Sequence, residues 1–198
     1  LEGGTICVQS GTTTEKNLTD FSRTNNLAIK PVVFEKVEAA TGAYFAGRCQ
    51  AYTTDASGLA ASRATMPDAE NHVILPEIIS KEPLGPVVRH GDSNWGDVVR
   101  WTYFALLIAE EKGITKANVE EVLASSADEE VKRLLGASGD MGVKFGLDNA
   151  AFKNAIAAGG NYGEIFARNI GEGTTINLAR GLNALWTQGG LQYAPPFR

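Results

Sequence analysis

The sequence is poor in the residues that most often bind metals or carry redox chemistry. It has two cysteines and two histidines in 198 residues. The cysteines, Cys7 and Cys49, lie far apart and form no CxxC pair, so a zinc site or a dithiol redox centre has little support. We therefore expect neither a metal ion nor a cofactor.

Long apolar runs and clusters of one charge are also missing. The longest apolar candidate, residues 101–109, has about half of the roughly 20 residues that a membrane-spanning helix needs. The 18 basic and 23 acidic residues are scattered along the chain and leave a net charge of -5, which makes nucleic acid an unexpected partner. Neither GxxxxGK[ST] nor GxGxxG occurs, so the common nucleotide-binding loops are excluded.

The first eighty residues instead alternate between short apolar runs and segments with helical periodicity. This alternation predicts parallel strands joined by crossover helices, with helices on both faces of the sheet. We expect a small doubly wound α/β unit with strands at residues 5–8, 31–34, 50–54 and 72–75.

The pattern changes at KEPLGP, residues 81–86, where two prolines and a glycine interrupt the chain. One more strand is predicted at residues 87–89, and the remainder is mainly helical. The sequence therefore predicts an α/β protein of two lobes, residues 1–82 and 83–198, with a crossing near 82–87. Helices of the second lobe are expected at residues 94–112, 128–135, 149–158, 162–170 and 177–185.

The stretch QSGTTTEKN follows the first strand and contains three consecutive threonines. Thr12 and Glu15 fit a capping box, in which the Thr12 hydroxyl accepts from the amide of Glu15 and the Glu15 carboxylate reaches the Thr12 amide. A helix that begins at the carboxyl end of a parallel strand also presents free N–H groups to an anion. The hydroxyls of Thr13 and Thr14 would add neutral donors there.

Asp55 follows the third predicted strand. If the strands pair in the order second-first-third, Thr12 and Asp55 follow neighbouring strands, roughly 5 Å apart laterally, at the point where ligands bind in such sheets. Donors for an anion beside a carboxylate for a cation complement a zwitterion such as an α-amino acid. The competing interpretation is that Asp55 only caps the helix after it.

The same strand order brings Cys7 and Cys49 within the Cα separation of roughly 4.4 to 6.8 Å that a disulfide tolerates. We therefore expect a disulfide and an oxidising compartment. The alternative is a cysteine nucleophile activated by His72 or His90, although neither histidine lies in a recognisable thiol-activating motif.

With these residues in view, the chain resembles the substrate-binding proteins of polar amino-acid ABC importers, which have the fold of type II periplasmic binding proteins. The resemblance implies a periplasmic, non-enzymatic protein that captures free L-amino acids by lobe closure and delivers them to an ABC permease. It also implies that Thr12 and Thr13 bind the ligand carboxylate and that Asp55 binds its ammonium, with Thr14 and Thr53 beside its side chain. The matching stretches are GTICVQSGTTTEKNL, AYFAGRCQAYTTDASGLAA, HVILPEIISKEPLGPVVRHGD, GNYGEIFARNIG and GLNALWTQGGLQYAPPFR.

The chain departs from that family at its beginning, because it has no counterpart of the first lobe-1 segment and no signal peptide. We therefore expect a complete lobe 2 and an incomplete, mainly helical lobe 1, completed by the missing segment or by self-association. Alone, the chain is expected to bind amino acids weakly or not at all. Two other functions stay open at this point: a ligand-sensing domain of a regulator or receptor, and an enzyme recruited from the same fold.

Overall fold

The computed structural model describes all residues from Leu1 to Arg198, and the chain forms two compact units. The first unit contains Leu1–Leu84 together with Thr175–Leu178, and the second contains Gly85–Thr174 and Ala179–Arg198. The chain thus passes out of the first unit after Leu84 and returns to it once for a short stretch. None of the helices is both long and apolar enough to cross a membrane.

The first unit is built on a parallel sheet of three strands: β1 (Thr5–Gln9), β2 (Lys30–Phe34) and β3 (Ala51–Tyr52). Their order is β2-β1-β3, which confirms the predicted second-first-third arrangement. Within this register, Cys7 lies opposite Val32 on one side and Tyr52 on the other. Because all three strands are parallel, their carboxyl ends lie at the same edge of the sheet.

Three helices belong to this unit: α1 (Thr13–Thr24), α2 (Val37–Phe45) and α3 (Ala56–Ala64). Side chains alternate along a strand, and the buried residues of β1 accordingly divide between two apolar clusters. Ile6 and Val8 pack with Leu18 of α1, whereas Cys7 packs with Ala43 of α2. The central strand is therefore covered on both faces, as the doubly wound prediction requires.

Two predicted strands are wrong. Residues 72–75 and 87–89 pair with no other strand, and Val73 and Val87 are 77% and 94% exposed. Both segments have the β-branched residues typical of strands, but a strand also needs a neighbour for its backbone hydrogen bonds. Nothing in a local pattern shows whether that neighbour is present.

The second unit is mainly helical, as predicted. Its only strand-like pairing is an isolated bridge between Leu185 and Gln192. The helix predicted at residues 177–185 is wrong, because Asn177 and Gly181 have φ of 53° and 47°, which a right-handed helix cannot accommodate. The observed helices are α4 (Ser93–Glu111), α5 (Val119–Ser125), α6 (Glu129–Leu134), α7 (Met141–Lys144), α8 (Ala151–Gly159) and α9 (Tyr162–Asn169).

Aromatic rings hold the core of the second unit together. Phe152 of α8 meets Phe197 edge to face, with 5.1 Å between ring centroids, and Trp101 of α4 also meets Phe197 edge to face, at 5.5 Å. The backbone of Phe197 is held as well, because its N–H donates to Glu130 and its carbonyl accepts from Arg133. The residues near the end of the chain are thereby part of the core.

Candidate functional site

The turn between β1 and α1 is held by reciprocal hydrogen bonds. Gly11 has a φ of 70°, and Thr12 is the N-cap of α1. The Thr12 hydroxyl accepts from the Glu15 N–H at 3.2 Å and donates to the carbonyl oxygen of Gln9 at 2.8 Å. The cap is as predicted, but the Glu15 carboxylate accepts from Gly11 N–H at 2.7 Å instead of reaching Thr12. The positive φ of Gly11 turns its amide toward the helix, so the return contact falls one residue earlier.

Replacing Thr12 with alanine is expected to lower the free energy of unfolding of the first unit by about 1 kcal/mol, because the substitution removes the capping acceptor of α1. Equilibrium urea unfolding monitored by far-ultraviolet circular dichroism would measure the loss. Thr12→Ser keeps the hydroxyl and should retain most of the stability. If Thr12→Ser and Thr12→Ala lose stability equally, the cap is not what Thr12 contributes.

The next residues present donors at the beginning of α1. Thr13 is exposed and Thr14 is half-buried, and the first N–H groups of a helix have no partner within it. The Thr13 hydroxyl contacts the Glu82 carboxylate, at 3.3 Å from Oε1 and 3.5 Å from Oε2. The side-chain amide of Asn17 donates to the same Oε1 at 3.1 Å. A carboxylate group of the chain itself thus lies against the first turn of α1.

Asp55 lies just after β3 and immediately before α3. It occupies the predicted N-cap position of α3, but its side chain makes no capping hydrogen bond. Its carboxylate pairs with no basic side chain, and it is close enough to Tyr52 to affect that phenol. Burial raises the pKa of Tyr52, a hydrogen bond with Thr54 opposes the increase, and the negative charge of Asp55 adds to it.

The sheet places the two predicted halves of the site at the same edge. Thr12 and Thr13 follow the end of β1, and Thr53 and Asp55 follow the end of β3, which is the neighbouring strand. Thr53 extends the pairing beyond β3, because its N–H donates to the carbonyl oxygen of Cys7 at 3.2 Å. The arrangement can therefore offer hydrogen-bond donors on one side and a negative charge on the other.

Glu82 and Asn17 also belong to the candidate site, and no sequence pattern predicted them. Glu82 lies 65 positions from Asn17 and 69 from Thr13. It belongs to a segment without helix or strand, and no motif within that segment indicates where its side chain points. The contact is a product of tertiary structure alone.

The predicted disulfide is confirmed. Cys7 and Cys49 are bonded, with 5.6 Å between their Cα atoms, and both are buried. The alternative of a cysteine nucleophile is wrong for this form of the chain, because no cysteine is free. His72 instead contacts the Tyr44 hydroxyl through Nδ1 at 2.7 Å and lies 3.5 Å from Asp68 through Nε2.

Comparison with known proteins finds relatives that are named as amino-acid-binding proteins, although no family model matches the chain. It is 65% identical to the glutamate/glutamine/aspartate/asparagine-binding protein BztA of Rhodobacter capsulatus, and the match covers 100% of the chain and 59% of that relative. It is 57% identical to the general L-amino acid-binding periplasmic protein AapJ of Rhizobium johnstonii, over 100% of the chain and 58% of the relative. A third relative is the putative amino-acid ABC transporter-binding protein YhdW of Escherichia coli, 46% identical over the whole chain and 58% of the relative.

A solved structure agrees with these relatives. A periplasmic binding protein of an ABC transporter from Brucella ovis, solved with glutathione bound, superposes with a TM-score of 0.95 at 56% identity, over 100% of the chain and 62% of that protein. The chain thus spans about three fifths of the length of the proteins it matches. Along its whole length, it is homologous to the amino-acid-binding periplasmic proteins of ABC transporters, and it has the periplasmic-binding-protein fold.

Proposed function

We propose that this protein binds free L-amino acids in the bacterial periplasm and delivers them to the permease of an ABC transporter. The homology to proteins whose names state amino-acid binding supports the ligand class and the transport role. Those relatives are binding proteins, so capture is reversible and no bond is made or broken. BztA is named for glutamate, glutamine, aspartate and asparagine, which makes these four amino acids the first ligands to test.

The observation that carries the proposal is that the Asp55 carboxylate makes no capping hydrogen bond and follows the strand next to the one that precedes α1. Asp55 would bind the α-ammonium of the ligand, because its side chain makes no capping bond that competes. The beginning of α1 would bind the α-carboxylate, because a helix N-terminus carries a partial positive charge and free N–H donors. A partial positive charge and a carboxylate at the same sheet edge match a zwitterion better than a simple anion or cation.

The hydrogen bonds of the turn support different proposed roles for the threonines. The Thr12 hydroxyl already donates to the Gln9 carbonyl oxygen and accepts from the Glu15 N–H. Thr12 would therefore contribute its backbone N–H to the ligand carboxylate. Thr13 is an exposed residue, and its hydroxyl would donate directly. Thr14 and Thr53 would lie beside the ligand side chain, where their hydroxyls suit a polar group.

Nuclear magnetic resonance titrations of the ¹⁵N-labelled chain would test the proposal, since they detect even millimolar binding. L-Glutamine carries both charges, acetate carries only the carboxylate and methylamine carries only the ammonium. We expect L-glutamine to shift the amide signals of Thr13, Thr14 and Asp55 together, at lower concentration than either partial ligand. Because hydrogen bonds to charged groups contribute about 1.5–3 kcal/mol, Asp55→Asn should weaken L-glutamine binding about 10- to 100-fold.

A matched control is Asp20→Asn, which removes the same charge from the exposed part of α1, where Asp20 pairs with Arg23. This variant should bind L-glutamine like the unmodified chain. The proposed site is refuted if L-glutamine binds no better than acetate, or if Asp55→Asn and Asp20→Asn have equal effects.

A further inference from the structure

The carboxylate of Glu82 contacts the Thr13 hydroxyl, which is the donor proposed for the carboxylate of the ligand. We propose that Glu82 is an internal competitor of the ligand carboxylate, which holds the first turn of α1 in the ligand-free protein and has to withdraw before an amino acid binds. This inference rests on the proposed function for the identity of the ligand. The competition itself concerns any carboxylate at the beginning of α1.

The geometry is that of a carboxylate bound by two donors on one helix face. Thr13 and Asn17 are four residues apart on α1, so their side chains lie above one another on the same face. Oε1 of Glu82 lies 3.3 Å from the Thr13 hydroxyl and 3.1 Å from the Asn17 amide. The Thr13 hydroxyl is also the donor proposed for the ligand, so both carboxylates require the same atom.

Electrostatic repulsion adds to the competition for the Thr13 hydroxyl. The N-terminus of a helix carries only about half a positive charge, and a ligand carboxylate beside that of Glu82 would experience repulsion of like charge. The ligand and Glu82 therefore exclude one another in part. Occupation by Glu82 lowers the apparent affinity for the ligand, which equals the intrinsic affinity multiplied by the fraction of molecules in which the turn is free.

The position of Glu82 allows it to leave. The residue belongs to a segment without helix or strand, and the one hydrogen bond of its own backbone that links it to a neighbour is local, from the Leu84 N–H to its carbonyl. Its contacts with Thr13 and Asn17 are at least partly exposed to solvent, where such bonds are weak. Withdrawal of the side chain therefore breaks no regular secondary structure.

Acetate titrations of the ¹⁵N-labelled chain at constant ionic strength would test the competition. Acetate has the carboxylate but no ammonium group, so its binding at α1 does not depend on Asp55. With Glu82→Ala, we expect the acetate concentration that half-saturates the Thr13 and Thr14 amide shifts to fall about 3- to 10-fold. Glu82→Gln, which keeps the shape and removes the charge, should give a smaller decrease.

Glu77→Ala is the matched control, because Glu77 is an exposed acid in the same irregular segment and forms no hydrogen bond or ion pair with α1. The proposal predicts little change for this variant. It is overturned if Glu82→Ala binds acetate no more tightly than the unmodified chain, if Glu77→Ala improves binding equally, or if acetate shifts Thr13 in neither protein. Tighter acetate binding without any preference for L-glutamine would instead uphold the competition and reject the amino-acid function.

Discussion

Removal of the Cys7–Cys49 disulfide is expected to lower the free energy of unfolding of the first unit by about 4 kcal/mol. The bond joins residues separated by 42 positions and therefore restricts a large loop in the unfolded chain. It also connects β1, the central strand, to Cys49, two residues before β3. Much of the unit thus depends on one covalent link, since its sheet has three strands and its apolar clusters are small.

The double variant Cys7→Ala/Cys49→Ala makes the measurement without a reductant. Hydrogen exchange followed by mass spectrometry should show faster exchange in peptides from β1, β2 and β3. The second unit supplies the internal control, because both cysteines lie in the first unit, so protection of α4 and α8 should not change. Equal protection of β1 with and without the disulfide would show that the bond contributes little to stability.

Truncation of Phe152 to alanine is expected to lower the free energy of unfolding of the second unit by about 3–5 kcal/mol. Phe152 is 1% exposed and contacts the rings of Phe145 and Phe197 edge to face. The substitution loses the transfer free energy of the ring and leaves a cavity between rings that cannot all move inward. It also removes one of the aromatic contacts through which Phe197 is held.

Tryptophan fluorescence during urea unfolding reports this effect selectively. All three tryptophans, Trp95, Trp101 and Trp186, belong to the second unit, and Trp101 contacts Phe197 directly. Val143→Ala is the control, because Val143 is 63% exposed and its truncation should cost little. If Phe152→Ala unfolds at the same urea concentration as Val143→Ala, the aromatic cluster is not the core that the geometry indicates.

Local patterns predicted most of the helices and the three paired strands, because amphipathic periodicity and β-branched runs reflect burial directly. The order of the strands and the disulfide were also predictable, since few pairings are compatible with short crossover connections. The failures have two causes, a missing partner strand and a backbone conformation that a helix does not allow. Residues 72–75 and 87–89 have strand-like composition but no pairing partner, and the predicted helix at 177–185 contains the positive φ of Asn177 and Gly181.

The sequence by itself determined the doubly wound first unit, the cap at Thr12, the disulfide, and the placement of Thr13 and Asp55 at neighbouring strand ends. Each follows from short-range spacing or from the small set of topologies that parallel strands permit. Only the tertiary structure decided that Asp55 is free of its capping role and that Glu82 reaches Thr13 and Asn17 across more than sixty residues. Such contacts depend on where distant segments meet in space. Composition and periodicity indicate only the conformation and burial of a single segment.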